Sequence, residues 1–229
     1  MKTIGLLGGM SWESTLDYYR AINEGVKQSL GGLHSAKIVL HSVDFAPIET
    51  LQQQGDWDVS ARILSEAALS VQSAGADFLL ICTNTMHKVA PQIEAAINIP
   101  ILHIADATAE LLLLDGIETV GLLGTAFTME QDFYRGRLEA HGLEVVVPRR
   151  EDRAIVHRII YEELCLGIVR EASRSEYLRI IEQMRVDGAA AVIEGCTEIV
   201  LLVDPRHTDV PLFDTTAIHA EEAVGQALA

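Results

Sequence analysis

A chain of 229 residues, 49% hydrophobic and 22% charged, has the composition of an ordinary globular protein, and its length permits one large domain or two small lobes. A formal net charge of −16 repels phosphate backbones and sets nucleic-acid binding aside. No apolar stretch is long enough to span a membrane, Trp12-Glu13 interrupts the N-terminal apolar run too early for a signal peptide, and three irregularly spaced cysteines (Cys82, Cys165, Cys196) fit a reducing cytoplasm rather than a disulfide framework.

Short Val/Ile/Leu-rich runs alternate with stretches of helical period. In chain order, a strand is expected at Thr3–Leu7, a helix at Thr15–Ser29, a strand at Lys37–His41, a helix at Trp57–Ser73, and strands at Phe78–Cys82 and Ile101–His103. A second series follows: a strand at Thr119–Leu123, a helix at Thr128–His141, a strand at Val145–Val147, a helix at Ser175–Val186, strands at Ala190–Ile193 and Leu212–Phe213, and a helix at Thr216–Leu228. Most of the strands are apolar on both faces, as parallel strands covered by helices are. The expected fold class is α/β.

The chain also repeats itself. Ile4-Gly-Leu-Leu-Gly8 returns as Val120-Gly-Leu-Leu-Gly124, and each is followed by a polar loop and an aromatic-Tyr-Arg helix (Tyr18-Tyr19-Arg20, Phe133-Tyr134-Arg135). Gly75-Ala76 returns as Gly188-Ala189, and Pro100-Ile-Leu-His103 as Pro211-Leu-Phe-Asp214. Three matches in one order predict two pseudo-symmetric α/β lobes, residues 1–103 with 212–229 and residues 104–211. Laying Gly75 on Gly188 puts Cys82 on Gly195 and Thr83 on Cys196. Thr83 and Cys196 then stand just past the C-terminal ends of equivalent strands, where open α/β sheets bind ligands.

Chemistry can be read at both positions. A thiol with a pKa near 8.5 becomes a usable base when a helix N-terminus lowers that pKa, and Cys196 precedes a short helical stretch at Ile199–Leu202. Asn84, Thr85 and Thr197 are capping residue types, and the free N–H groups of helix starts can hold a carboxylate. Thr83 either donates a proton or only caps the following helix. Gly5-Leu-Leu-Gly8-Gly9 is not a phosphate-loop pattern, and the glycines read as a tight strand-to-loop turn. His87 and His103 have no metal-ligand spacing, so no metal site is expected. Cys82 and Cys165 read as packing residues, and Asp214 as the start of the last helix or a group that tunes the site.

Gly8-Gly-Met-Ser-Trp-Glu-Ser-Thr15, Cys82-Thr-Asn-Thr-Met-His87, Gly124-Thr-Ala-Phe-Thr128, Glu163-Leu-Cys-Leu-Gly167 and Gly195-Cys-Thr-Glu198 follow one another over essentially the whole chain. Together they resemble the ordered motifs of the aspartate/glutamate racemase family, close to its L-aspartate/glutamate-type members with Thr at the first catalytic Cys. The resemblance implies a two-lobed α/β fold, a homodimer, no pyridoxal phosphate or other cofactor, and an active site in the cleft between the lobes. In the family, one Cys from each lobe serves as base and acid. That division suits racemisation, in which a proton leaves one face of a carbon and returns to the other.

This chain departs from the pattern twice. Thr83 stands where the family has its first Cys, and Cys82 is one residue early, which along a strand turns a side chain to the opposite face. Cys165 stands where a Lys is often found. The resemblance therefore implies a racemase of a small acidic amino acid, with Cys196 as the base on the L enantiomer and Thr83 opposite. Met10, Gln52, Asn84, Thr85, Thr125, Thr128, Thr197 and Glu198 are the expected lining residues. Two other readings fit one cysteine: a relative such as an arylmalonate-type decarboxylase, maleate isomerase or hydantoin racemase, or a non-catalytic amino-acid sensor.

Overall fold

A computed structural model describes residues 1–229 and contains two compact units, Met1–Ile104 with Thr216–Ala229, and Ala105–Thr215. In the first, strands β1 (Ile4–Gly8), β2 (Ile38–Ser42), β3 (Phe78–Ile81) and β4 (Ile101–Leu102) form a parallel sheet in the order β2-β1-β3-β4. The helices of that stretch are α1 (Trp12–Leu30), α2 (Phe45–Gln54), α3 (Trp57–Ser73) and α4 (Ala90–Ala96). The second unit opens on α5 (Ile104–Leu114). Its strands are β5 (Thr119–Gly124), β6 (Glu144–Val146), β7 (Ala191–Gly195) and β8 (Leu212–Asp214), in the order β6-β5-β7-β8. Its helices are α6 (Ala126–Glu130), α7 (Asp132–Ala140), α8 (Arg150–Glu162) and α9 (Glu171–Val186). Finally α10 (Thr215–Leu228) returns to the first unit.

The repeat read in the sequence is thus one topology used twice. The equivalent glycines behave alike: Gly75 and Gly188 end the connections into β3 and β7 with φ of +97° and +109°, a region costly for residues with a Cβ. The expected boundary is corrected at β8. Leu212–Asp214 was expected with the first lobe, but its register with Val192–Glu194 adds it to the second sheet, and the first unit resumes at Thr216. Backbone pairing to β7 outweighs closeness in sequence to α10.

The central strands β1 and β3 of the first sheet are buried on both faces by alternation. Leu7, Leu79 and Ile81 face the side chains of α3 and α4, including Leu64, Val71 and Ile93. Ile4, Leu6, Phe78, Leu80 and Cys82 face Tyr18, Ile22 and Val26 of α1 and Ala223 and Val224 of α10. In the second unit Leu123 and Val192 join Val156, Ile160, Tyr177 and Ile181 of α8 and α9 in one cluster. No helix is long and apolar enough to cross a membrane.

Gly5 and Gly121 occupy matching places on β1 and β5, and neither leaves room for a methyl group. A Cβ on Gly5 would lie 2.6 Å from Val71 Cγ1 and 2.8 Å from the Phe78 carbonyl oxygen. A Cβ on Gly121 would meet the mobile end of Met184 at 2.6 Å. Overpacking of this kind costs roughly 1–3 kcal/mol. Gly5→Ala is expected at the upper end of that range, because backbone must shift, and Gly121→Ala at the lower end, because a methionine can swing aside. Denaturant unfolding of both variants checks the ranking; equal losses would contradict it.

Candidate active site

In a sheet of order 2-1-3-4 the chain leaves the first strand in one direction and returns on its other side. The crevice beyond the carboxyl ends of the two central strands is where such sheets bind ligands. In the first unit those ends are Gly8-Gly9-Met10 after β1 and Cys82-Thr83-Asn84 after β3; in the second they are Gly124-Thr125 after β5 and Gly195-Cys196-Thr197 after β7. The topology therefore brings the residues singled out in the sequence to two equivalent places, one in each unit.

In the second unit Gly124 and Gly195 face each other in register. A Cβ on Gly195 would lie 2.6 Å from the Leu123 carbonyl oxygen, so only glycine lets the strand ends close up. Cys196 follows directly and is 9% exposed. Its Sγ donates to Glu198 Oε2 at 3.0 Å, and Thr197 Oγ1 donates to the same oxygen at 2.7 Å. Glu198 is itself buried. Burial pushes the Cys196 thiol well above its ordinary range, and the negative charges of Glu198 and Cys165 push it further.

This overturns the expectation of a pKa lowered by a helix. The segment after Cys196 is a single 3-10 turn, Ile199–Leu201, too short for an appreciable dipole, and the nearest full charge is negative. Cys196 therefore rests as a thiol hydrogen-bonded to a carboxylate. Cys165, expected as a packing residue, packs against the same cluster, and Tyr177, whose hydroxyl donates to the Val156 carbonyl at 3.2 Å, is pushed well above its ordinary range by burial and then by the charges of Cys196, Cys165 and Glu163. Glu163 of the same motif is buried and accepts from Ser173 Oγ at 2.6 Å. At the end of β5, Thr125 caps α6 by accepting from the Thr128 N–H at 3.3 Å, and the Ala126 N–H donates to His157 Nδ1 at 3.1 Å. Two N–H groups of that helix start already have protein partners.

In the first unit Thr83 is half-buried and Cys82 is fully buried on the α1 and α10 side, with its thiol pushed strongly up by burial. The turn beyond Thr83 is again 3-10, Thr85–Val89, and Asn84 makes no side-chain cap there. Met10 lies in the core, and Gln52 donates its amide to Met86 Sδ at 2.8 Å, so both of these expected lining residues are engaged in packing. Gly9 has φ +90° and donates its N–H to Thr15 Oγ1 at 2.8 Å, fixing the loop after β1. No group of three or more His, Cys, Asp or Glu side chains is arranged to hold a metal ion.

Comparison with known proteins bears on this arrangement. A family model described as Asp/Glu/Hydantoin racemase matches residues 7–223. The chain belongs to that family. It is 22% identical to the broad-specificity amino-acid racemase RacX of Bacillus subtilis (strain 168), over 99% of this chain and 98% of that one. Among solved structures, it is similar to a candidate Asp/Glu racemase from Yersinia pestis (60% identity, TM-score 0.94) and to an aspartate racemase homologue from Pyrococcus horikoshii OT3 (35% identity, TM-score 0.86), in both cases over 100% of both chains. Two parallel four-stranded sheets flanked by helices are the fold of the family's glutamate racemases as well.

One residue of the region went unread in the sequence. Glu194 sits in the all-buried strand β7 beside Asp214 of β8, is 4% exposed, and has no hydrogen-bond partner for Oε1. Burial, then the charges of Asp214 and Asp204, push its carboxyl up to about 8. The folded protein therefore keeps a proton that the unfolded chain releases near pH 4.5, so folding stability falls as pH rises from about 4.5 to about 8 and is level beyond. Glu194→Gln, which cannot ionise, is expected to remove that slope and to be more stable than wild type at pH 8 by roughly 2–4 kcal/mol. Urea unfolding of both proteins from pH 5 to 9 measures this; parallel curves would show that Glu194 does not titrate as described.

Proposed function

We propose that the protein is a cofactor-independent racemase of a small acidic amino acid, aspartate or glutamate, with the L enantiomer favoured. The observation that carries this reading is the Cys196 thiol donating to the buried Glu198 carboxylate at the strand end that matches Thr83 in the repeat. The names of the relatives support the class of reaction, and the breadth in the RacX name argues for assaying a panel of amino acids.

In this reading Glu198 takes the proton of Cys196, and the sulfur then removes the α-proton. The C–H electrons pass into the substrate carboxylate as an enediolate. Thr83 gives its hydroxyl proton to the opposite face and recovers one from water, while Glu198 returns the former thiol proton to water, so the resting state is restored. The resting thiol binds its proton tightly, so ionisation awaits the substrate, whose α-ammonium charge favours the thiolate. Asn84, Thr85, Thr125, Thr128 and Thr197 would line the site. The same reading makes the protein a cytoplasmic homodimer. Helix α1 offers Trp12, Leu16 and Tyr19, all exposed at the i, i+4, i+7 spacing of one helix face, as an unpartnered apolar stripe.

Thiol and hydroxyl are unequal acids, because a hydroxyl holds its proton far more tightly. The enediolate therefore returns mostly to the enantiomer it came from, by reprotonation from Cys196. Enantiomers have equal free energy in water, so kcat/KM must match in the two directions; what differs is exchange relative to inversion. In D₂O, L-aspartate or L-glutamate is expected to gain α-deuterium, read by proton NMR, faster than the D enantiomer appears on a chiral column. Thr83→Cys should bring inversion up towards exchange. Equal rates in wild type, unchanged in Thr83→Cys, would refute the one-thiol account.

The second expectation concerns the thiol itself. Cys196→Ser should lower both rates by roughly a hundredfold to ten-thousandfold while far-UV circular dichroism stays unchanged. Near-native turnover by the folded variant would overturn the assignment. Activity should also survive dialysis against chelator and need no added pyridoxal phosphate; restoration of lost activity by either addition would count against the reading.

A further inference from the structure

We propose that His87, with Ser14, is a positioning residue for Thr83, and that His87 is held as the neutral Nδ1–H tautomer. The proposal rests on the reading that Thr83 serves the second face of the substrate. Two peptide carbonyls flank the Thr83 Cα, and a side chain holds each of them. The Cys82 carbonyl accepts from Ser14 Oγ at 3.3 Å, and the Thr83 carbonyl bonds His87 Nδ1 at 2.8 Å. Ser14 comes from α1 and His87 from the 3-10 turn, so two separate elements fix the two peptide planes.

The proton positions follow from the partners. A carbonyl oxygen can only accept, so Nδ1 of His87 carries hydrogen. The other nitrogen, Nε2, receives the Ile104 N–H at 3.3 Å and must be bare. One ring therefore ties the strand end at Thr83 to the start of α5, and it can do so only when neutral and in one tautomer. Its surroundings suit a neutral ring. His87 is 1% exposed and packs edge-on against His103 at 4.4 Å and against His219 at 6.0 Å between centroids. His219 is fixed in the opposite tautomer: its Nε2 donates to the Leu102 carbonyl at 2.8 Å, and its Nδ1 accepts from the Tyr18 hydroxyl at 2.8 Å.

A hydroxyl that must deliver a proton along one line is sensitive to displacement in a way that burial alone is not. An error of about 1 Å in the placement of a reacting group can cost a hundredfold. Loosening the Thr83 carbonyl should therefore reduce inversion and spare exchange on the Cys196 side. A merely structural His87 would lower both together or neither.

The experiment compares His87→Asn, His87→Gln, Ser14→Ala and Thr83→Val. An Asn amide can take the place of Nδ1–H on the Thr83 carbonyl; a Gln amide reaches the Nε2 position and leaves that carbonyl bare. With L-aspartate and L-glutamate in D₂O, the ratio of inversion to exchange should fall by roughly tenfold or more in His87→Gln, fall less in Ser14→Ala, and stay within about threefold of wild type in His87→Asn. Long-range ¹H–¹⁵N spectra of wild type should show His87 protonated on Nδ1 and bare on Nε2, a readout independent of turnover. An Nε2–H ring, an imidazolium at neutral pH, or equal ratios in the Asn and Gln variants would overturn the proposal. If His87→Gln does not fold, an unchanged ratio in Ser14→Ala has the same force. Thr83→Val separates this proposal from the reading beneath it. Unchanged inversion there removes Thr83 from the reaction, whereas lost inversion with a wild-type ratio in His87→Gln removes only the clamp.

Discussion

At Gly195 there is no space for a single extra carbon, and the second unit is organised around that fact. With the Leu123 carbonyl oxygen 2.6 Å from where a Cβ would stand, β5 and β7 converge at Gly124 and Gly195, and the next residue is Cys196. The thiol is thus placed by backbone that cannot relax around it. The repeat places Cys82 opposite Gly195 in the first unit, where the side chain is turned into the α1 and α10 core. The same fold position is a close backbone approach in one unit and a packed thiol in the other. At the next position the second unit has Cys196 and the first Thr83, so only the second presents sulfur there.

The two strand ends have unlike surroundings. Around Cys196, burial first and then the charges of Glu198 and Cys165 hold the thiol protonated. Around Thr83 lies His87, packed against His103 and His219, with His219 bonded to Tyr18, and burial pulls His219 down to about 4. The two titrations that burial suppresses therefore act on stability in opposite directions. A fall in pH from about 6.5 to about 4 destabilises the first unit, where an unfolded His219 takes up a proton that the folded one refuses, and a rise from about 4.5 to about 8 destabilises the second, through Glu194.

Much of this was legible in the sequence. Runs such as Ile4–Leu7, Phe78–Ile81 and Val120–Leu123 are apolar at every position, and only a strand covered on both faces explains that at such short length. The duplication was legible because glycines recur where close approach or positive φ requires them. What stayed hidden depends on through-space neighbours. Ile199–Leu202 has a helical look, but only the backbone shows that it closes as one 3-10 turn without a useful dipole. The rise in the Cys196 pKa comes first from burial and then from a carboxylate two residues on, folded back onto the sulfur. Glu194 is the single polar residue in Ala-Val-Ile-Glu-Gly, and a lone acid in an all-apolar run is itself a signal. The pairing of β8 with β7 is a matter of register, which hydrophobic pattern does not encode for so short an edge strand.

The return of α10 to the first unit has a consequence for the order of assembly. Ala220, Ala223, Val224 and Ala227 fill one side of the core beneath Ile4, Leu6 and Phe78, and the Lys2 N–H bonds the Ala227 carbonyl at 2.8 Å. The second unit is a single uninterrupted stretch, Ala105–Thr215. On the ribosome, all of that stretch is made before the helix that completes the older unit has been translated. The part of the chain synthesised first is therefore the last to close. Until α10 arrives, the apolar face formed by Tyr18, Ile22 and Val26 stays uncovered on the nascent chain, open to chaperones and prone to self-association.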